Sequence, residues 1–206
     1  DWLVKQYANT LASYPYATVN TANLYYLFGG NWDAVGNPCS LVCALLLAVS
    51  CLAWGVILRK RQRDFRLPRL ETALMAAFGV FFAVCGFVGA SWTVLGYGAM
   101  ALAFAIVLPL YVRGGRLENL PLLGGLLFLL LYVLGIKMHE RYLFPALLFF
   151  AMAFVLKRDF RILTLLIVTT VTMFLNEGIV LDNSIRLGSS LGHLNADTVV
   201  LASIVA

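Results

Sequence analysis

The run from Cys39 to Leu58 reads CSLVCALLLAVSCLAWGVIL, and Arg59-Lys60-Arg61-Gln62-Arg63 follows it directly. The run holds no charged side chain. An apolar stretch of about 20 residues is the length of helix that crosses the roughly 30 Å hydrocarbon core of a bilayer. A basic cluster at its end anchors that end at one membrane surface. The pattern recurs along the chain, near 70–90, 92–112, 117–136, 142–156 and 162–181. The second and third runs are parted only by the short stretch around Ser91 and Trp92. The fifth is short at its apolar core, Leu143–Leu156, and has to borrow residues from its polar N-terminal flank. Val199–Ala206 reads as the start of one more span. The sequence therefore predicts an all-α, polytopic transmembrane helix bundle, with about six spans and the beginning of a seventh.

Composition agrees. Of 206 residues, 62% are hydrophobic and 12% are charged, and the mean hydropathy is +0.88. A soluble domain carries about 25% charged residues. A soluble core of this size cannot bury so much apolar surface, so the lipid bilayer is the expected solvent. A net charge of +5 is compatible with nucleic acid in general, but here the basic residues sit in short gaps between apolar runs. That placement is a topology signal, and no nucleic-acid partner is expected. The chain starts at Asp1 and ends in a broken-off apolar run. It is expected to be part of a longer protein, with 1–38 an interfacial segment and 39–206 a transmembrane domain. Cys39, Cys43, Cys51 and Cys85 lie in apolar runs and read as small apolar side chains rather than as disulfides or metal ligands. No metal and no cofactor is expected.

Lys and Arg set the orientation. Eleven of the fifteen fall in 59–69, 113–116 and 157–161, three short gaps that an even alternation of six spans puts on one side. That side is expected to be cytoplasmic. Segments 1–38, 137–141 and 182–198 then face the extracytoplasmic side of a multi-pass protein of the cell membrane. Segment 1–38 is rich in Tyr and Trp, among them Trp2, Tyr7, Tyr14, Tyr16, Tyr25, Tyr26 and Trp32. Such rings favour the membrane–water interface, and short interfacial helices are the natural expectation. A turn is expected at Gly29-Gly30-Asn31.

The chemistry concentrates in Lys137-Met138-His139-Glu140-Arg141-Tyr142. Four ionisable residues occupy five positions in an otherwise apolar region, and two are basic on the side depleted of basic residues. Ionisable groups close to membrane depth are costly and usually face a polar cavity. A tight turn with Lys137 and Arg141 on lipid phosphate is the plainer alternative. Asn176 and Glu177 lie at the same end of the last span. Asp33 reads as a turn residue beside Asn31 and Gly36, and Asp182, Asn183, Arg186 and His193 as a solvated loop. Gly79, Gly86 and Gly89 point to close helix packing.

The run Lys137-Met138-His139-Glu140-Arg141-Tyr142-Leu143-Phe144-Pro145 resembles the His-Glu motif of GT-C class membrane glycosyltransferases. The bacterial relatives of GPI mannosyltransferases are especially similar. The segment from Tyr14 to Leu24, with Gly30-Asn31-Trp32 after it, resembles their extracytoplasmic region. The resemblance spans most of the chain and implies transfer of a sugar from a polyprenyl-phosphate carrier to a glycan, lipid or protein acceptor. It implies that His139, Arg141 and Lys137 bind the donor phosphate and that Glu140, Asn20, Asn23 and Glu177 contact substrate. The family's catalytic acidic residue lies in a first outer loop that has no counterpart here. The base is therefore expected upstream, and this piece alone is expected to be inactive. No Asp-x-Asp motif occurs. A transporter or flippase with an ionisable relay at Lys137–Arg141 is the other class to consider. It would spread ionisable residues through the mid-spans, whereas here they gather at one face.

Overall fold

The computed structural model describes residues 2, 5, 15–61, 67–114 and 116–186. Tyr7, Tyr14, Arg63, Arg66, His193 and the run Val199–Ala206 lie outside the described residues, as do the side chains of Arg61, Arg69, Asn183 and Arg186. The chain is a bundle of helices. After strand β1 (Thr18–Val19) and a single helical turn α1 (Leu24–Leu27) come α2 (Leu41–Arg61), α3 (Leu67–Val88) and α4 (Trp92–Gly114). Helix α5 (Leu120–Leu134) follows a 3-10 turn at Leu117–Asn119. Strand β2 (Met138–His139) and a second 3-10 turn (Glu140–Leu143) lead into α6 (Phe144–Lys157) and α7 (Phe160–Arg186).

Five stretches are long and apolar enough to cross a membrane: Leu41–Lys60, Leu70–Val88, Trp92–Arg113, Leu117–Leu134 and Phe160–Asp182. Helix α6 is shorter, at 14 residues, or about 21 Å at 1.5 Å per residue. The 3-10 turn before it adds about 8 Å at 2 Å per residue. The expected fifth span is thus not among the five: a shorter helix takes its place, and the polar flank precedes it as a 3-10 turn. The break follows from Pro145, which tolerates the first turn of a helix but cannot donate the N–H that would carry the α-helix backwards.

Successive helices pack in chain order, and two apolar cores result. One joins α2, α3 and α4 through Cys43, Leu47, Phe82, Leu95 and their neighbours. The other joins α5, α6 and α7 through Tyr132, Leu143, Ala146 and Phe150. Small residues set the spacing. A Cβ on Gly86 would stand 2.9 Å from the Ala44 Cβ, and one on Gly125 would stand 2.5 Å from a Phe150 ring carbon. Each glycine is a point of close helix contact. The four cysteines are free and buried in the apolar bundle.

Residues 15–38 do not form interfacial helices. They fold into a compact cap whose only helix, among the described residues, is the four-residue α1. The reason lies in the backbone. Asn20 (φ 51°) and Trp32 (φ 57°) are left-handed, which no helix continues. The segment instead closes on itself. Ala17 N–H donates to the Asp33 carbonyl at 2.8 Å, Trp32 N–H to Thr18 at 3.0 Å and Val35 N–H to Pro15 at 2.8 Å. Its aromatic rings partly turn inward: Tyr25 is fully buried and packs edge-on against Trp92, with ring centroids 5.7 Å apart. Cys39 N–H donates to the Ala90 carbonyl at 2.7 Å, so the cap sits on the α3–α4 corner. The opposite end of the bundle is the basic face, where Glu71 pairs with Arg113, and Lys157 with the Asn119 side chain.

Candidate functional site

The ionisable stretch after α5 is fastened to the cap along its backbone. The α-helix ends at Gly135, which is extended (ψ 147°). Lys137 then takes a left-handed conformation (φ 58°), and its N–H donates to the Ala17 carbonyl at 2.8 Å. Met138 and His139 pair in parallel with Thr18 and Val19. Three side chains of the cap hold the same segment. The Tyr25 hydroxyl donates to the Leu134 carbonyl at 2.6 Å, Thr21 Oγ1 to Met138 at 2.7 Å and Asn23 Nδ2 to Gly135 at 3.4 Å. Burial, assisted by nearby thiols, holds the Tyr25 phenol well above its usual pKa, so it remains a donor.

His139 is 7% exposed. Its ring stands edge-on to Tyr142 at a centroid distance of 5.3 Å, and its Nδ1 lies 3.9 Å from Glu140 Oε2. Burial pulls the imidazole below its ordinary pKa; Glu140 opposes that shift and Arg141 adds to it. At neutral pH the ring is therefore mainly uncharged. Arg141 and Tyr142 are exposed, and Glu140 and Lys137 are half-buried. The 3-10 turn thus sets a buried imidazole beside an exposed guanidinium.

Helix α7 reaches this region through Asn176, which is 1% exposed. Its Oδ1 accepts from the Ala22 N–H at 3.1 Å, and its Nδ2 donates to the Tyr132 hydroxyl at 3.2 Å. Tyr132 lies within electrostatic reach of both Glu140 and Glu177. It also lines a cavity of about 50 Å³ with Leu143, Thr169 and Thr172. Tyr132, Glu140, Asn176 and Glu177 therefore converge beneath the turn. Tyr132 escaped the sequence reading. The available signal was its place as the lone hydroxyl in an α5 otherwise made of Leu, Gly, Phe, Val and Pro; a buried phenol needs a partner.

Other sequence candidates hold the scaffold. Asn23 caps α1, accepting from Tyr26 N–H at 3.2 Å with its other end on Gly135. Both halves of its amide are engaged within the fold. Asn20 accepts from the Trp32 indole at 3.0 Å, and its own N–H donates to Asn31 Oδ1 at 2.8 Å. Asp33 accepts from the Trp92 indole at 2.6 Å and from Ala34 N–H at 3.0 Å, and Asn37 also bonds to it. Its carboxylate ties the cap to the start of α4. Thr18 Oγ1 is buried with no hydrogen-bond partner, directly beside the strand pairing. No family model matches the chain, and neither a curated protein nor a solved structure does.

Proposed function

We propose that the chain is part of an integral-membrane glycosyltransferase, mannosyltransferase-like, of the GT-C type. It moves a sugar from a polyprenyl-phosphate carrier to a glycan, lipid or protein acceptor at the extracytoplasmic face of the cell membrane. The observation that carries this reading is the parallel pairing of Thr18-Val19 with Met138-His139. The two stretches that resemble the family lie far apart in sequence, and the fold joins them into one surface at the cap.

The chemistry required there is stabilisation of a leaving lipid phosphate. Arg141 is exposed at the cap rim, where a guanidinium can take two phosphate oxygens through parallel N–H bonds. His139 supplies a buried neutral donor beside it, and Lys137 a further cation. Glu140 and Glu177 offer acceptors to sugar hydroxyls, with Tyr132 and Asn176 holding the turn and α7 in register. Preplaced donors of this kind act most strongly on charge that develops in the transition state. The test is release of polyprenyl phosphate by the full-length protein. Arg141→Ala and His139→Ala, at matched membrane levels, are each expected to lower turnover by about 10²–10³. Near-wild-type transfer by both would reject the site.

A further inference from the structure

The buried face of α7 is polar. Thr169, Thr172 and Asn176 are 3%, 3% and 1% exposed, and their spacing of three and four residues puts them on one side of the helix. Ile167, Val171 and Phe174 are exposed. This inversion sets polar groups toward the bundle interior, where each needs a protein or water partner because hydrocarbon offers none. Thr169 and Thr172 line a cavity of about 50 Å³ with Tyr132 of α5, and its other walls include Leu129, Val133 and Leu143. Tyr132 is 1% exposed, and its oxygen accepts from Asn176 Nδ2 at 3.2 Å. The phenol proton has no acceptor among the described residues. A buried donor left in that state is costly. Thr169 Oγ1 gives its own proton to the Leu165 carbonyl at 2.7 Å, which leaves lone pairs on that oxygen to accept.

We propose that this cavity is a water-binding site inside the membrane-spanning bundle. A water molecule takes about 30 Å³ in the liquid, so the cavity has room for about one or two. The water accepts the Tyr132 phenol proton and donates to the Thr169 and Thr172 oxygens. That gives it about three polar partners, as is usual for buried water. It completes a hydrogen-bonded line that starts at the Ala22 N–H of the cap and passes through Asn176 and Tyr132 to the threonines. From Asn176 to Thr169 the line reaches roughly 10 Å down α7, at 1.5 Å per residue. An acyl chain offers no acceptor and cannot serve the phenol.

The test is X-ray footprinting of the full-length protein in mild detergent, read by mass spectrometry. Short pulses split water where it sits, so a buried ring is oxidised quickly only if a bound water lies beside it. Tyr25 is the internal standard, because it is as fully buried but its hydroxyl donates to the Leu134 carbonyl. Tyr132 is expected to be oxidised several-fold faster than Tyr25. Thr169→Val/Thr172→Val keeps the side-chain shapes and removes both hydroxyls. It should bring Tyr132 down to the Tyr25 rate, with an unchanged Tyr25 as the sign of an intact fold. Thr169→Ser/Thr172→Ser keeps the hydroxyls and should keep Tyr132 fast. Equal rates for the two tyrosines in the wild type would overturn the proposal, whether or not the valine variant folds. So would a fast Tyr132 in a folded valine variant, or a serine variant as slow as the valine one, which would trace the oxidation to side-chain shape.

Discussion

Burial lowers the His139 pKa, and pH dependence follows with a definite sign. An unfolded imidazole takes its proton near 6.5, and the folded one takes it at lower pH. Between these values the unfolded chain binds more protons, so stability falls as pH falls. The contribution is fully present above about 6.5 and is lost as pH drops through the folded value. Thermal unfolding is therefore expected at lower temperature at pH 5.5 than at pH 7.5, with a smaller difference in His139→Gln. Identical pH dependence in the two proteins would count against a buried neutral ring. Arg141 behaves differently because it is exposed. Arg141→Lys should restore only part of the turnover that Arg141→Ala loses, since an ammonium cannot make the paired contact. A lysine variant as fast as the wild type would reduce Arg141 to a point charge. The clustering of these residues was legible in the sequence, because charge is conspicuous in an apolar chain. Their burial was not legible. Whether an imidazole is covered depends on Tyr142 and on a strand more than a hundred residues away. Asn20 and Asn23 looked like ligand groups for the same reason that they serve as turn and cap residues: short amide side chains bond readily to nearby backbone.

At the level of elements, Asn176 is the hydrogen-bonded link from α7 to the cap that the structure describes, through Ala22. Asn176→Leu removes that link and leaves the Ala22 N–H without its buried acceptor. The expected cost is about 1–3 kcal/mol, readable as a lower melting temperature and as faster protease cleavage near Ala22. Unchanged stability would show that α7 is held by apolar packing alone. The helices themselves were largely readable, since about 20 apolar residues leave few alternatives in a membrane. Their starts were less so. The polar flank expected to extend the fifth span became a 3-10 turn at Glu140–Leu143. The cap was not readable as a fold. A strand of two residues carries no periodicity, since alternation needs at least about four residues to register, and aromatic richness alone pointed to interfacial helices. Gly86, by contrast, was legible as a packing position. Gly86→Leu should overpack the α2–α3 contact at Ala44, costing roughly 1–3 kcal/mol, while an exposed glycine such as Gly36 should tolerate the change.

For the molecule as a whole, two apolar cores share one cap and one basic face. The excess of Lys and Arg on the basic face predicts its side of the membrane. An impermeant thiol reagent added outside should label Gly36→Cys in the cap and miss Lys60→Cys. Both positions are exposed, and the native cysteines are buried. The opposite labelling pattern would move the proposed site to the cytoplasmic face. The cap also imposes an order on biosynthesis. Thr21 and its partner Met138 are separated by 117 residues. At about 5–20 residues per second, roughly 6–23 s pass between their syntheses. Throughout that interval the cap segment has emerged without its partner strand, while α2 to α5 are still being made and inserted. A ribosome stalled after α4 would therefore carry the three helices of the first core beneath an unclosed cap, and pairing of Thr21 with Met138 reports that α5 has arrived.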